Sequence, residues 1–202
     1  MTSTAQPPAL HYDDATHIYT LDGAVLPHVT EILEAAGFVD YSQVPESVLD
    51  AAKWRGSATH DACWFDDEGD LDESTLAEEV RPRLAAWRKV RDLFIFRARE
   101  KPVYHRVYRY ACTPDRVGNE AAWLNNLAVV EIKTCAHQPA AAIQLAAQAM
   151  CLPNGAAYHR FAARLKPDGS YDLKEYPLRD LRRDFDCFLA ALSCWRWRKE
   201  NL

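Results

Sequence analysis

Leu127-Ala128-Val129-Val130-Glu131-Ile132-Lys133-Thr134 is the stretch on which the fold turns. Four apolar residues, two of them β-branched, predict a central and mostly buried strand. Alternate side chains of a strand face the same way, so Glu131 and Lys133 project together while Ile132 faces the other side. An acid at the end of such a run carries a desolvation penalty unless it reaches the strand end or meets a partner. Asp115, after Pro114, supplies a second carboxylate from a neighbouring strand or turn. Two carboxylates that reach one site repel unless a cation or a proton intervenes. A hard cation shared by Asp115 and Glu131, with Lys133 beside it, satisfies all three groups. The plainer readings are a Pro-Asp turn at Asp115 and a strand-end salt bridge at Lys133. Neither excludes the metal reading.

Outward from this strand, Arg116 to Gly118 is short and extended, and Val103 to Ala111 carries aromatic and β-branched residues with period two. With Leu127 to Thr134 these predict a sheet. Ala140 to Leu152 is an Ala-rich helix stopped by Pro153 and Gly155. Tyr158 to Leu165 and Tyr171 to Tyr176 flank a Pro167-Asp168-Gly169 turn, and Leu178 to Glu200 forms a closing helix. Towards the N-terminus, His11 to Leu26 alternates as a small hairpin around Leu21-Asp22-Gly23. Thr30 caps a short helix that stops at Gly37, and Pro45 with Ser47 opens a longer one to about Phe65. Leu84, Trp87, Val90, Arg91, Phe94 and Ala98 recur at helical spacing and predict a helix from Pro82 to about Glu100. The sum is an α/β protein with a mixed central β-sheet flanked by helices. It divides into an N-terminal hairpin and short helix (1–44), a helical region (45–101) and a core with the closing helix (102–202), all in one domain.

With 202 residues and 49% hydrophobic content, the chain can bury one substantial core. Six scattered cysteines without a C-x-x-C pair read as reduced thiols, which points to a cytoplasmic protein and against an iron–sulfur cluster. Met1 to Leu10 lacks the pattern of a leader, and no apolar run reaches membrane-spanning length. The net charge of −5 gives no general support for a nucleic-acid partner, but its distribution is uneven. Eight acids and no bases lie between Asp66 and Glu79, whereas eleven bases face three acids between Arg81 and Arg116. A local basic surface and the solvated face of an amphipathic helix both account for the second run.

Four motifs in order resemble the PD-(D/E)xK nuclease superfamily, in its RecB-like and phage-exonuclease branch, over most of the chain. They are Arg55-Gly56-Ser57-Ala58-Thr59-His60, Pro114-Asp115, Glu131-Ile132-Lys133, and Gln144-Leu145-Ala146-Ala147-Gln148. The branch often has Tyr where Gln148 stands. The resemblance implies a restriction-endonuclease-like core in which His60, Asp115, Glu131 and the Ile132 carbonyl hold one or two Mg²⁺ or Mn²⁺ ions. Lys133, Glu131 and Asp115 are then catalytic, and Gln144, Gln148, Arg55, Gly56 and Arg116 support the site or contact DNA. The missing side chain at Gly56 would let backbone or DNA approach closely, with His60 four residues on along the same helical face.

The implied activity is phosphodiester hydrolysis by an exonuclease acting on DNA ends, in phage or prophage recombination or repair within a bacterial or phage-infected cell. Several relatives form rings, so the resemblance extends to a homo-oligomer and to a single-strand annealing partner. A structure- or sequence-specific endonuclease shares every motif, and an inactive nucleic-acid-binding module is the non-enzyme alternative. Trp54, Trp64 and Trp123 read either as base-stacking residues or as core.

Overall fold

The computed structural model describes residues 9–136 and 139–202; most of the Met1 to Leu10 reading therefore lies outside the described residues. The chain opens with three short antiparallel strands, β1 (Leu10–Asp13), β2 (Ile18–Leu21) and β3 (Ala24–Leu26), in place of the single hairpin expected. The β2–β3 turn falls at Asp22 and Gly23, both with positive φ, as a tight hairpin of matching twist requires. Helix α1 (Val29–Ala35) follows, and its cap is His28, not Thr30: the His28 ring accepts from the Glu31 N–H. Helix α2 (Glu46–Glu68) ends at left-handed Gly69, where Gly69 and Asp70 return their N–H groups to Asp66 and Phe65. Helix α3 (Arg81–Arg91) starts with Pro82 in its first turn, where a missing N–H costs nothing.

The expected helix to Glu100 therefore stops at Arg91, and Phe94–Arg99 is strand β4. Phe94, Phe96 and Ala98 fit a period of two as well as Phe94 and Ala98 fit a period of four, and pairing with a neighbour decided the outcome. Strands β5 (Val103–Tyr104) and β6 (Ala111–Cys112) form a separate two-stranded ladder, so the segment expected in the central sheet lies outside it. The five-stranded sheet is completed by β7 (Arg116–Glu120), β8 (Leu127–Lys133), β9 (Tyr158–Leu165) and β10 (Tyr171–Tyr176), in the order β10-β9-β8-β7-β4. Strands β8 and β9 run parallel and the other pairs antiparallel, which makes the sheet mixed. Parallel neighbours need a long crossover, supplied by α4 (Ala140–Met150). Helix α5 (Leu181–Asn201) closes the chain.

Each face of the sheet is covered. Ala128, Val130 and Ile132 of β8 pack with Ala62, Leu84, Trp87 and Phe161, between the sheet and helices α2 and α3. Val129 turns to the other side, against Leu145 and Ala149 of α4, with α1 and α5 packed behind it. A bulge interrupts β4 between Phe96 and Ala98, and opposite it Gly118 sits so close to the Ile95 backbone that any Cβ would collide. No helix among the described residues is long and apolar enough to cross a membrane. Their six cysteines are all free.

Candidate active site

Period two on β8 sends Glu131 and Lys133 to the α4 side, where Gln144 and Gln148 stand one turn apart. Glu131 Oε1 accepts from Lys133 Nζ at 2.8 Å and from Gln144 Nε2 at 2.6 Å, and its Oε2 accepts from Gln148 Nε2 at 2.8 Å. Lys133 Nζ also donates to Gln144 Oε1 at 3.2 Å, so acid, base and amide close a ring. Buried Gln148 keeps one polar atom, Oε1, without a partner.

Asp115 reaches the same place from the residue before β7. Cross-strand pairing of β7 with β8 begins at Arg116 opposite Val130, so the Ile132 N–H lies beyond it. The Asp115 carboxylate takes that N–H instead, at 2.6 Å to Oδ2. From α2, His60 donates through Nε2 to the Ile132 carbonyl at 3.2 Å, and its Nδ1 lies 3.7 Å from Asp115 Oδ1. The structure thus gathers His60, Asp115, Glu131, the Ile132 carbonyl, Lys133, Gln144 and Gln148 around the end of one strand, although the chain separates them by up to 88 positions.

Burial pushes the Asp115 carboxyl up to about 6, with the charge of Glu131 adding to the rise and His60 and Lys133 opposing it. Burial also acts to raise Glu131, but the Lys133 charge and the hydrogen bonds from Lys133 and Gln148 outweigh it and hold this carboxyl below its ordinary value. Burial works against the charged form of Lys133, yet Glu131 and Asp115 hold the ammonium on, above its usual range. The centre contains two carboxylates, of which only Glu131 is well compensated. A divalent cation fits that surplus of buried acid and the mixed oxygen and imidazole donors. As they stand, no three His, Cys, Asp or Glu side chains among the described residues are gathered closely enough to hold one. Glu131 is turned to Lys133 and the glutamines, and His60 to the Ile132 carbonyl.

The other expected residues fall elsewhere. Arg116 is fully buried beneath the sheet, donating to Asp67 at 2.8 Å, to Glu100 at 3.2 Å and to the Asp115 carbonyl, so it has no face for a phosphate. Arg55 is half-buried with Glu79 at 3.7 Å. A Cβ at Gly56 would meet only Thr134 Oγ1, at the ordinary distance of 3.8 Å, so no backbone of the protein comes close to this glycine. Four members of the basic run are tied to the acidic one: Arg88 and Arg91 bind Asp66, Arg99 binds Glu68 and Arg116 binds Asp67. Arg81, Lys89, Arg97, Lys101, Arg106 and Arg109 stay exposed. Trp54 and Trp123 are exposed rather than core, and of the three candidate tryptophans Trp64 alone borders the cleft.

No family model matches the chain, and no curated protein matches it either.

The site opens into a cleft of about 990 Å³. Its walls also include side chains outside the four motifs: Tyr12 on β1, His17 in the turn before β2, and Lys53 on α2. Lys53 was findable, since Lys53, His60 and Trp64 stand seven and eleven residues apart on one helical face. Tyr12 and His17 reach the cleft only through tertiary packing.

Proposed function

We propose that the chain is a metal-dependent deoxyribonuclease built on a restriction-endonuclease-like core, acting on DNA ends as an exonuclease. The observation that supports it is the junction of Asp115, Glu131 and Lys133 at the end of a central strand, with His60 and the Ile132 carbonyl alongside. Asp115, Glu131, His60 and the Ile132 carbonyl would hold Mg²⁺ or Mn²⁺. Such an ion supplies Lewis-acid polarisation of the phosphate and lowers the pKa of water. Water adds its oxygen to phosphorus while the opposite P–O bond breaks, the leaving oxygen departing with a proton. Lys133, kept protonated by its acidic neighbours, donates to the phosphoryl oxygen on which charge develops. Gln144 and Gln148 hold both oxygens of Glu131 and orient its carboxylate at the strand end.

The decisive measurement is degradation of end-labelled linear and closed-circular DNA in Mg²⁺, Mn²⁺ or EDTA, for the wild type and for Lys133→Ala and Glu131→Ala. We expect loss of linear DNA only, dependent on metal, and reduced by at least about 10²- to 10³-fold in either variant. Cutting of circles moves the protein to the endonuclease class. Absence of cleavage, or cleavage that survives both substitutions, overturns the catalytic assignment and leaves a binding module.

A further inference from the structure

We propose that the cleft receives an unpaired DNA end and that Tyr12 and His17 form the face on which its terminal base stacks. The inference rests on the nuclease reading above and specifies its substrate.

Three observations carry it. The first is a built aromatic wall. Tyr19 is buried beneath the first strands, and its hydroxyl meets Thr113 Oγ1 at 2.8 Å, two residues before Asp115. Tyr12 stacks on Tyr19 with centroids 4.5 Å apart and planes 30° apart, and its hydroxyl meets His17 Nδ1 at 2.7 Å. Tyr12 is half-buried and His17 exposed, and both border the cleft. His17 has a left-handed backbone at φ 54° in the turn that joins β1 and β2, which places its ring beside Tyr12. The wall is thus anchored to the loop that carries a site carboxylate, at a fixed offset from the reaction centre.

Charge provides the second observation. Beyond Asp115 and Glu131, the cleft is bordered by Asp14, Glu34 and Glu100, and Lys53 is its single Lys or Arg among the described residues. A duplex brings two rows of phosphates, and proteins that grip it neutralise several with Lys and Arg. Of the nine arginines between Arg81 and Arg116, four are paired with the acidic run and none borders the cleft. A strand held by its bases needs few such contacts, because every base has a π-face and stacking tolerates any sequence.

Size is the third. At about 990 Å³ the cleft lies at the upper end of small-ligand pockets, with room for a nucleotide beyond the phosphate at the site.

The experiment is steady-state cleavage of a single-stranded oligonucleotide and of a blunt duplex in Mg²⁺, with salt varied between about 50 and 200 mM. We expect the single strand to be preferred, with kcat/KM falling less than about tenfold over that range, against about 10³-fold for a protein gripping six or more phosphates. Tyr12→Ala and His17→Ala should each raise KM on the single strand about tenfold with kcat little changed. Tyr12→Phe, which keeps the ring, should restore the wild-type KM, and Trp197→Ala, exposed on α5, should change nothing. Since Tyr12 packs on a buried neighbour, the exposed His17 provides a variant whose folding is not at issue. Metal-dependent, Lys133-dependent cleavage that prefers blunt duplex, or an unchanged KM in both alanine variants, overturns this inference and leaves the nuclease standing. Absence of metal-dependent cleavage of either substrate overturns both.

Discussion

Asp115 and Arg116 are neighbours in the chain that face opposite sides of one sheet, and the charge clusters they join are built in opposite ways. Beneath the sheet, Arg116 and Asp67 meet at 2.8 Å with both side chains fully buried. Trp87 donates its indole N–H to the same carboxylate at 2.9 Å and lies under the guanidinium at 5.1 Å. That cluster is balanced, every charge facing its opposite. Above the sheet, Asp115 and Glu131 share one lysine and a histidine, and Asp115 is left with its carboxyl pushed up to about 6 by burial and by Glu131. The balanced cluster holds the fold; the unbalanced one leaves a demand for positive charge that the proposed cation would meet.

The sharpest test of that contrast is to unbalance the lower cluster. Asp67→Ala leaves the Trp87 N–H without its acceptor and Arg116 without its buried carboxylate, with only the more exposed Glu100 as an acidic partner, and should lower stability by about 3–5 kcal/mol in chemical denaturation. The double variant Asp67→Leu with Arg116→Met, which removes both charges, should cost much less than the single one. Equal losses would mean that packing rather than charge holds this region.

Relieving the upper cluster should act in the opposite direction. A carboxyl raised in the folded state favours folding below its unfolded value and loses that contribution as pH rises through its folded value. For Asp115 the window runs from about 4 to about 6. Asp115→Asn removes this loss, so in EDTA its melting temperature should match the wild type near pH 4 and exceed it near pH 7. Added Mg²⁺ should raise the wild-type value and leave the variant's unchanged. A variant less stable than the wild type at pH 7 would contradict the uncompensated state of Asp115.

The smallest effect concerns the glutamine that supports Glu131. Gln148→Leu removes one hydrogen bond to a charged carboxylate together with the unpartnered Oε1 atom, and these partly offset. A stability change of about 1 kcal/mol is expected, with a larger fractional loss in cleavage rate because the Glu131 carboxylate loses a donor that orients it. A rate that follows stability alone would assign Gln148 to the fold rather than the site.

The upper cluster was largely legible from sequence because its members obey local periods: Glu131 and Lys133 two apart on a strand, Gln144 and Gln148 four apart on a helix. Asp115 and His60 came from the family resemblance and from the chemistry of paired carboxylates. The lower cluster was not legible. Its acidic and basic runs were visible as separate blocks, but their mutual pairing depends on α3 packing along α2 and on β7 lying over both, which no local pattern encodes. The aromatic wall was hidden for a similar reason, since Tyr19 and Thr113 are 94 residues apart. At Phe94 the error was one of period: four apolar positions at helical spacing ran into a strand that alternates.

The bulge at Phe96 to Ala98 bears on how copies of this chain can associate. Open sheet edges invite a second sheet to add on, and natural proteins discourage this with bulges and charged side chains. Both edges here are guarded in that manner. Strand β4 is bent by its bulge and carries Arg97 and Arg99, and β10 carries Asp172, Lys174 and Glu175. Copies of this chain are therefore expected to associate through surfaces other than these two edges, a constraint on assembly that the central sheet carries in its own strands.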